Sequence, residues 1–445
     1  MSFDPILLAR IQFAFTISFH IIFPAFTIGL AGYLTCVEAL YLKTKDKTYK
    51  EIYKFWVKIF AIIFGMGVVS GVVLSYELGT NWSGFSQRLG NVLGPLLGME
   101  VLTAFFLEGS FLGIMLFGWN RVSPRMHFVS TLIVAIGTLL SAFWVIAANS
   151  WMQTPTYFMA YNITFYSTNW FQTIFNPSFL YRFSHMVVAS YLTCAFVVCG
   201  VSAWFLWKKK NLEHARVMFK MALAFIVIFI PLQIVIGDMH GLNTLKYQPM
   251  KVAAMEGIWE DEVGAPLTLF GIPDEETETT KYAIKIPKLA SLILKHDING
   301  KIYGLKSAPK EDRPPVAPVF FSFRVMVAIG MMMLATALIA IVLFFRKKLF
   351  TTKWFQYWCM AMTPSGFIAV LAGWFVTEIG RQPYVVYGFV RTKDIVSTGI
   401  VSQQVLFSLI AFAVTYFIIF GAATFYILRQ ISKGIQTSFE KRGGA

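Results

Sequence analysis

The stretch VFFSFRVMVAIGMMMLATALIAIVLFF, residues 319–345, carries a single charge, Arg324. It exceeds the ~20 apolar residues that take a helix across the hydrocarbon of a bilayer. Lipid offers the backbone no hydrogen-bond partners, so such a run must be helical. Eight more runs of this kind lie near 13–41, 56–76, 92–118, 128–148, 183–206, 218–237, 356–378 and 404–428. Composition agrees. The 445 residues are 57% hydrophobic and 14% charged, with mean hydropathy +0.63, whereas a soluble domain averages about 25% charged. The fold class is all-α, a polytopic bundle of nine transmembrane helices.

The net charge of +15 suggests nucleic acid or membrane, and the apolar runs decide for membrane. Lysine and arginine collect in alternate connections. These are KTKDKTYKEIYK after the first run, Arg121 and Arg125, Lys208 to Lys210 with Arg216, RKKLFTTK, and a tail with Arg429, Lys433, Lys441 and Arg442. The connections between them, such as YELGTNWSGFSQRLGN and the aromatic 149–182 segment, are poor in both. Positive-inside reasoning puts the N-terminus outside and the C-terminus in the cytoplasm. No signal-peptide pattern opens the chain, so the first span is expected to be retained. All four cysteines fall inside apolar runs, with no CxxC or CxxCH, so neither disulfides nor covalently attached haem are expected. One outside loop is too long for a connector. The chain divides into 1–237 (six spans), 238–318 (the loop) and 319–445 (three spans and a tail). KVAAMEGIWEDE in the loop reads as helical and RPPVAP as extended. Pro231 is expected to interrupt the sixth span.

Ionisable groups inside spans are costly and mark function. Predicted topology places His20, Glu100, His185, Met326 and Glu378 in the outer half, with Arg324 beside Met326 and Arg381 just after Glu378. His and Met form an axial pair for low-spin haem. A second histidine and a carboxylate at similar depth could hold further haems. Each residue alone has a plainer reading. His20 could be a hydrogen-bonded core group, Met326 packing, and Glu378 simply the i,i+3 partner of Arg381. Arg324 could snorkel, and Trp374 could be an interface aromatic. Glu100 and Glu108 stand about 80° apart around an ideal helix and about 12 Å along it, a spacing open to a relay or to separate neighbours.

IQFAFTISFH, FGMGVVSG, LGTNWS, MEVLTAFFLEGSF, SAFWVIAANSWMQTP, FSHMVVASY, KVAAMEGIWE, TLFGIP, FSFRVMVAIG and GWFVTEIGRQP together span nearly the whole chain. In these motifs the sequence resembles subunit I of the cytochrome bd-type quinol oxidases, here with a short quinol loop. The resemblance implies a low-spin haem b, a high-spin haem b and a d-type chlorin. It implies His185 and Met326 as the low-spin axial pair, with Arg324 nearby. His20 and Glu378 would serve the high-spin pair, in an order left open, with Trp374 and Arg381 beside them. Glu100 corresponds to the acid beside the high-spin pair, Glu108 with Ser141 to the proton route that leads to it, and Lys251 and Glu256 to the quinol-binding positions. Gly109 stands where some members carry a hydroxyl residue.

On this reading quinol is oxidised at the outer face, and O2 is reduced to water with cytoplasmic protons. A proton motive force arises without a pump. The implied partners are a membrane subunit II, room for one small single-helix subunit, quinol, O2 and lipid, with no nucleic acid. The implied location is a bacterial or archaeal cytoplasmic membrane, crossed many times. A bc-type cytochrome b would need histidine pairs about 13 residues apart, which are missing. A haem-free secondary transporter is the alternative from another class and should show internal pseudo-symmetry and broken helices. A haem-free structural subunit would need neither Glu378 nor His20.

Overall fold

The computed structural model describes residues 4–397 and 399–436; Lys441 and Arg442 of the predicted tail lie outside them. Among the described residues, nine helical segments are long and apolar enough to span a membrane, one for each predicted run. The first two are α1 (Pro5–Thr44) and α2 (Lys47–Thr80). The third joins α3 (Ser83–Glu100), a π turn (Val101–Phe105) and α4 (Phe106–Phe117). Next comes α5 (Pro124–Gln153), then a short α6 (Trp170–Ile174), α7 (Phe179–Trp207) and α8 (Leu212–Tyr247). Helices α9 (Pro249–Glu256) and α10 (Leu289–Lys295) belong to the long loop. The last three spans are α11 (Val316–Phe345), the pair α12 (Lys353–Ala361) and α13 (Ser365–Ile379), and α14 (Ser402–Lys433).

The helices overshoot the apolar runs, because helical hydrogen bonding does not stop where the hydrocarbon stops. Helix α8 passes through Pro231 without a break and continues to Tyr247. Helix α11 starts at Val316, so the last three residues of RPPVAP are helical. The loop thus narrows to 248–315. The helix expected over KVAAMEGIWEDE ends at Glu256. Gly257 takes the left-handed conformation (φ +66°), and its N–H returns to Ala253 O and Ala254 O. That closure suits a residue without a Cβ.

The connections also hold strands that the helical reading did not anticipate. These are β1 (Phe158–Tyr161) with β2 (Thr164–Ser167), and, in the loop, β3 (Glu262–Val263), β4 (Leu267–Asp274), β5 (Thr279–Ile286) and β6 (Lys301–Ile302). After the eighth span come β7 (Tyr384–Val386) and β8 (Val390–Arg391). The antiparallel pairs are β1–β2, β3–β6, β4–β5 and β7–β8.

Helix α7 is the centre of the bundle. Its most apolar window is 72% buried, against 17% for α14 at the edge. It packs against α8, α1, α12, α13 and α5. Backbones meet closely there. A Cβ on Gly29 of α1 would lie 2.3 Å from Ser190 O, and one on Gly366 of α13 would lie 2.5 Å from Thr193 Cα. Lipid supplies no hydrophobic drive between helices, so small residues that allow such approach are what hold them. Antiparallel packing brings the starts of α1, α7 and α11 to one end of the bundle, together with the ends of α2, α5, α8 and α13. Contacts such as Asn149–Glu378, Gln12–Asn81 and His185–His240 tie that end together.

Candidate active site

Glu378 lies at the end of α13, at the focus of a buried polar cluster. It accepts from Asn149 Nδ2 (2.8 Å) and Gln153 Nε2 (3.2 Å) and from the Arg381 guanidinium. Lys251 joins from α9. Its Nζ donates to Gln153 Oε1 (2.8 Å) and Thr377 O (3.0 Å). Arg182, near the start of α7, also acts electrostatically on Glu378. Burial and the neighbouring Arg182 hold the Lys251 amine well below its usual range, although Glu378 pulls the other way. Two buried guanidiniums and the Lys251 amine therefore surround one carboxylate. Arg182 Nε, Arg381 Nε and Arg381 Nη1 have no hydrogen-bond partner. Buried, unpaired guanidinium donors call for anions, and the carboxylate tails of a haem supply that chemistry.

The second group lies between α7, α8, α11 and α13. His185 Nε2 is 3.2 Å from Gln233 Nε2, and its Nδ1 is buried without a partner. Its ring faces Gly237, where a Cβ would come within 3.4 Å, and meets His240 edge-on at 5.4 Å. Met326 lays its sulfur against Gly373, within 2.9 Å of a Cβ position. Trp374 follows and packs edge-on to Phe375. Arg324 turns away from Met326 toward the loop. It donates to Met255 O and Thr268 O (2.5 Å each) and covers the Phe320 ring. On the first helix, His20 bonds Ser70 through Nδ1 (2.9 Å), and its Cε1 stands 3.3 Å from a Cβ on Gly71. Of the four candidate ligands, His20, His185 and Met326 each lie against a glycine on the opposing helix. The buried, unpartnered Nδ1 of His185 and the thioether of Met326 are donors of the kind that hold a haem iron.

The third group is the acid pair. Glu100 accepts from Ser141 Oγ (2.8 Å). Glu108 packs on Gly137, where a Cβ would sit 2.8 Å from Glu108 Cγ. Ser141 and Gly137 are one turn apart on α5, so both acids face that helix. The π turn between them explains why. A π turn takes up roughly one extra residue. The offset therefore falls from about 80° to about 20°, and a relay spacing replaces a divergent one.

Finally, Glu256 and Arg324 end an open cavity of ≈ 270 Å³, lined also by Leu267, Thr268, Phe323 and Val327. Glu256 Oε2 lies 3.7 Å from Arg324 Nη2. Burial pushes the Glu256 carboxyl up to about 7, with Arg324 opposing. Lys251 and Glu256 are five residues apart, about 140° around α9. Glu256 therefore meets the cavity while Lys251 meets the Glu378 cluster.

Sequence reasoning passed over Arg182, Asn149, Gln153, Gln233, His240, Ser70 and Gly137. Asn149 and Gln153 stood in SAFWVIAANSWMQTP, at the depth of Glu378. Arg182 stood three residues before His185. Gly137 gave no local signal.

The model of the family described as cytochrome bd terminal oxidase subunit I matches residues 8–435. The chain belongs to that family. It is 37% identical to "Cytochrome bd ubiquinol oxidase subunit 1" of Bacillus subtilis, over 97% of this chain and 94% of that one. It is 32% identical to "Cytochrome bd-II ubiquinol oxidase subunit 1" of Escherichia coli, over 97% and 96%. Its fold overlays the bd oxidase of Geobacillus thermodenitrificans with a TM-score of 0.91 at 31% identity, covering 97% of this chain and 99% of that chain. As a bd-family subunit I, the protein is a multi-pass component of a respiratory terminal oxidase that works with haem in a multi-subunit complex. The transporter reading falls, and with it the broken sixth helix it invoked.

Proposed function

We propose that this chain is the haem-bearing subunit of a quinol oxidase, oriented with its N-terminus outside and its C-terminus in the cytoplasm. Quinol is oxidised from the outer side by way of the 238–318 region, and O2 is reduced with protons drawn from the cytoplasm. A subunit II is the membrane partner. The observation that carries the reading is the gathering of His185, Met326 and Glu378 at one end of the bundle, beside buried cations with unmet hydrogen bonds. Bound there, a low-spin haem b, a high-spin haem b and a d-type chlorin would supply the electron transfer from quinol to O2.

The chain's own residues do the rest. His185 and Met326 would hold the low-spin haem, and His20 and Glu378 would hold the high-spin pair. Arg182 and Arg381 would neutralise haem carboxylates; Arg381 also pairs with Glu378, and Lys251 orients Gln153, which donates to the same carboxylate. Arg324 pins the loop to α11, and Glu256 takes the proton of a quinol hydroxyl. Glu108, Ser141 and Glu100 hold and pass protons toward the reduction site. Electrons and protons meet from opposite faces, so charge separates without a moving pump. A reduced-minus-oxidised spectrum with pyridine haemochrome analysis of the purified complex tests this. It should return b-type haem and a chlorin; a colourless complex rejects the reading.

A base works only when ionised, and Glu256 ionises as pH rises through about 7. kcat/KM for quinol should therefore climb through that range and level off above it. Glu256→Gln should flatten the profile at a low rate. A sigmoid that survives in Glu256→Gln assigns the proton to another group.

Gly137→Ala should slow O2 reduction about tenfold by displacing Glu108, a fraction of the 10²–10⁴-fold typical of a positioned proton carrier. Haem content should not change. In a Glu108→Ala background the same substitution should add nothing, because the colliding Cγ is gone. Additive losses would place the effect of Gly137 elsewhere.

A further inference from the structure

The β4–β5 hairpin of the long loop has two unlike faces. Cross-strand pairs Phe270–Ile284 and Leu267–Ile286 set its register. Ile284 and Ile286 alternate along β5 and share a face with their partners Phe270 and Leu267, while Tyr282, at φ +51°, lies in the bulge that follows. That face is bare: Ile284 is 60% exposed, Phe270 51% and Ile286 39%, and Tyr282 in the adjoining bulge is 81% exposed. The rest of the hairpin is tied to the protein. Thr268 is buried, and Thr280 Oγ1 donates to Gly257 O while accepting from Trp259 Nε1. Soluble surfaces rarely leave so many large apolar side chains together.

Its height relative to the membrane is fixed by Arg324. That residue sits inside the apolar run of α11 and donates to Thr268 O of β4. The cavity between the two elements is lined by Phe323 and Val327 of the span, and Val325 and Val327 are themselves exposed. Arg324 thus holds the hairpin beside the first turns of a membrane-spanning helix. Exposed Lys285 and Lys288 flank the bare face, the charge that complements anionic headgroups.

We propose that the β4–β5 hairpin rests in the bilayer surface as an amphipathic anchor. Its Phe270–Ile284–Ile286 face lies among the lipids of that leaflet, and the Glu256 cavity opens sideways to hydrocarbon. The anchoring stands on the geometry alone; the sideways opening rests on the quinol reading above.

The test uses the whole oxidase complex in lipid nanodiscs, with Ile284→Cys carrying an environment-sensitive nitrobenzoxadiazole label. The identically treated complex without the substitution gives the background. Anchoring predicts blue emission that is quenched by nitroxide lipids and spared by aqueous iodide. Red emission quenched by iodide overturns it in favour of water. Blue emission that neither agent quenches overturns it in favour of a protein partner.

For the opening, Phe270→Asp should raise KM for membrane quinol about tenfold, the loss expected when one large apolar side chain leaves lipid, with kcat and haem spectra unchanged. Phe270→Leu should restore wild-type KM. An embedded label with an unchanged KM in Phe270→Asp overturns the sideways opening. Wild-type kinetics in Glu256→Gln would instead sink the quinol reading and leave the label result standing.

Discussion

His185→Ala and Met326→Leu will each remove the low-spin signal from the dithionite-reduced spectrum, and quinol oxidation will fall to background. His185 comes to the site with one ring nitrogen buried and unpaired, and Met326 packs its sulfur against Gly373 of α13. Leucine matches methionine in volume, a swap that cores tolerate. Loss of the spectrum in Met326→Leu would therefore report the missing sulfur and not a collapsed bundle. Any haem kept by that variant should have a lower potential, since a Met ligand raises it. Unchanged reduced spectra in both variants would reject the axial pair.

Glu108→Ala should slow O2 reduction about 10²-fold, within the range for removing a positioned proton carrier, and leave haem content near normal. Glu108 packs against α5 and touches none of the proposed iron ligands, so the two effects should separate. Glu108→Gln should be nearly as slow, because an amide keeps the shape but carries no proton. Wild-type turnover in Glu108→Ala would discard the route. The two failures are independent: the axial pair can stand without the acids, and the acids without the axial pair.

The spans were legible in the sequence because lipid forces a simple rule on the backbone. Every run of sufficient length became helical, although the eighth is split into α12 and α13. Where helices end was less legible, because α8 and α11 continue past the apolar residues on ordinary helical hydrogen bonds. The paired strands were not foreseen; they are short, and the β4–β5 ladder slips register at Thr268/Phe270 and Phe270/Ile272. Candidate site residues could be chosen by depth, since a charge inside a span needs a reason. Their partners could not. Glu38 bonds His127 at 2.6 Å with Thr131 and Tyr53 close by, and Glu77 bonds Thr16 at 2.6 Å. Both pairings are long-range and have no local signature. Lys251 and Glu256 looked like one feature in the sequence, yet the pitch of an eight-residue helix sends them to opposite sides.

The widened turn at Val101–Phe105 has a further consequence. Eight residues separate Glu100 from Glu108, but in phase they behave as if one heptad apart. Deleting a single residue there would let the segment relax to regular pitch with both acids still aimed at α5. Adding one would swing Glu108 toward the lipid. In this segment the count of residues matters more than their identity, and a shortened version is the tolerant direction.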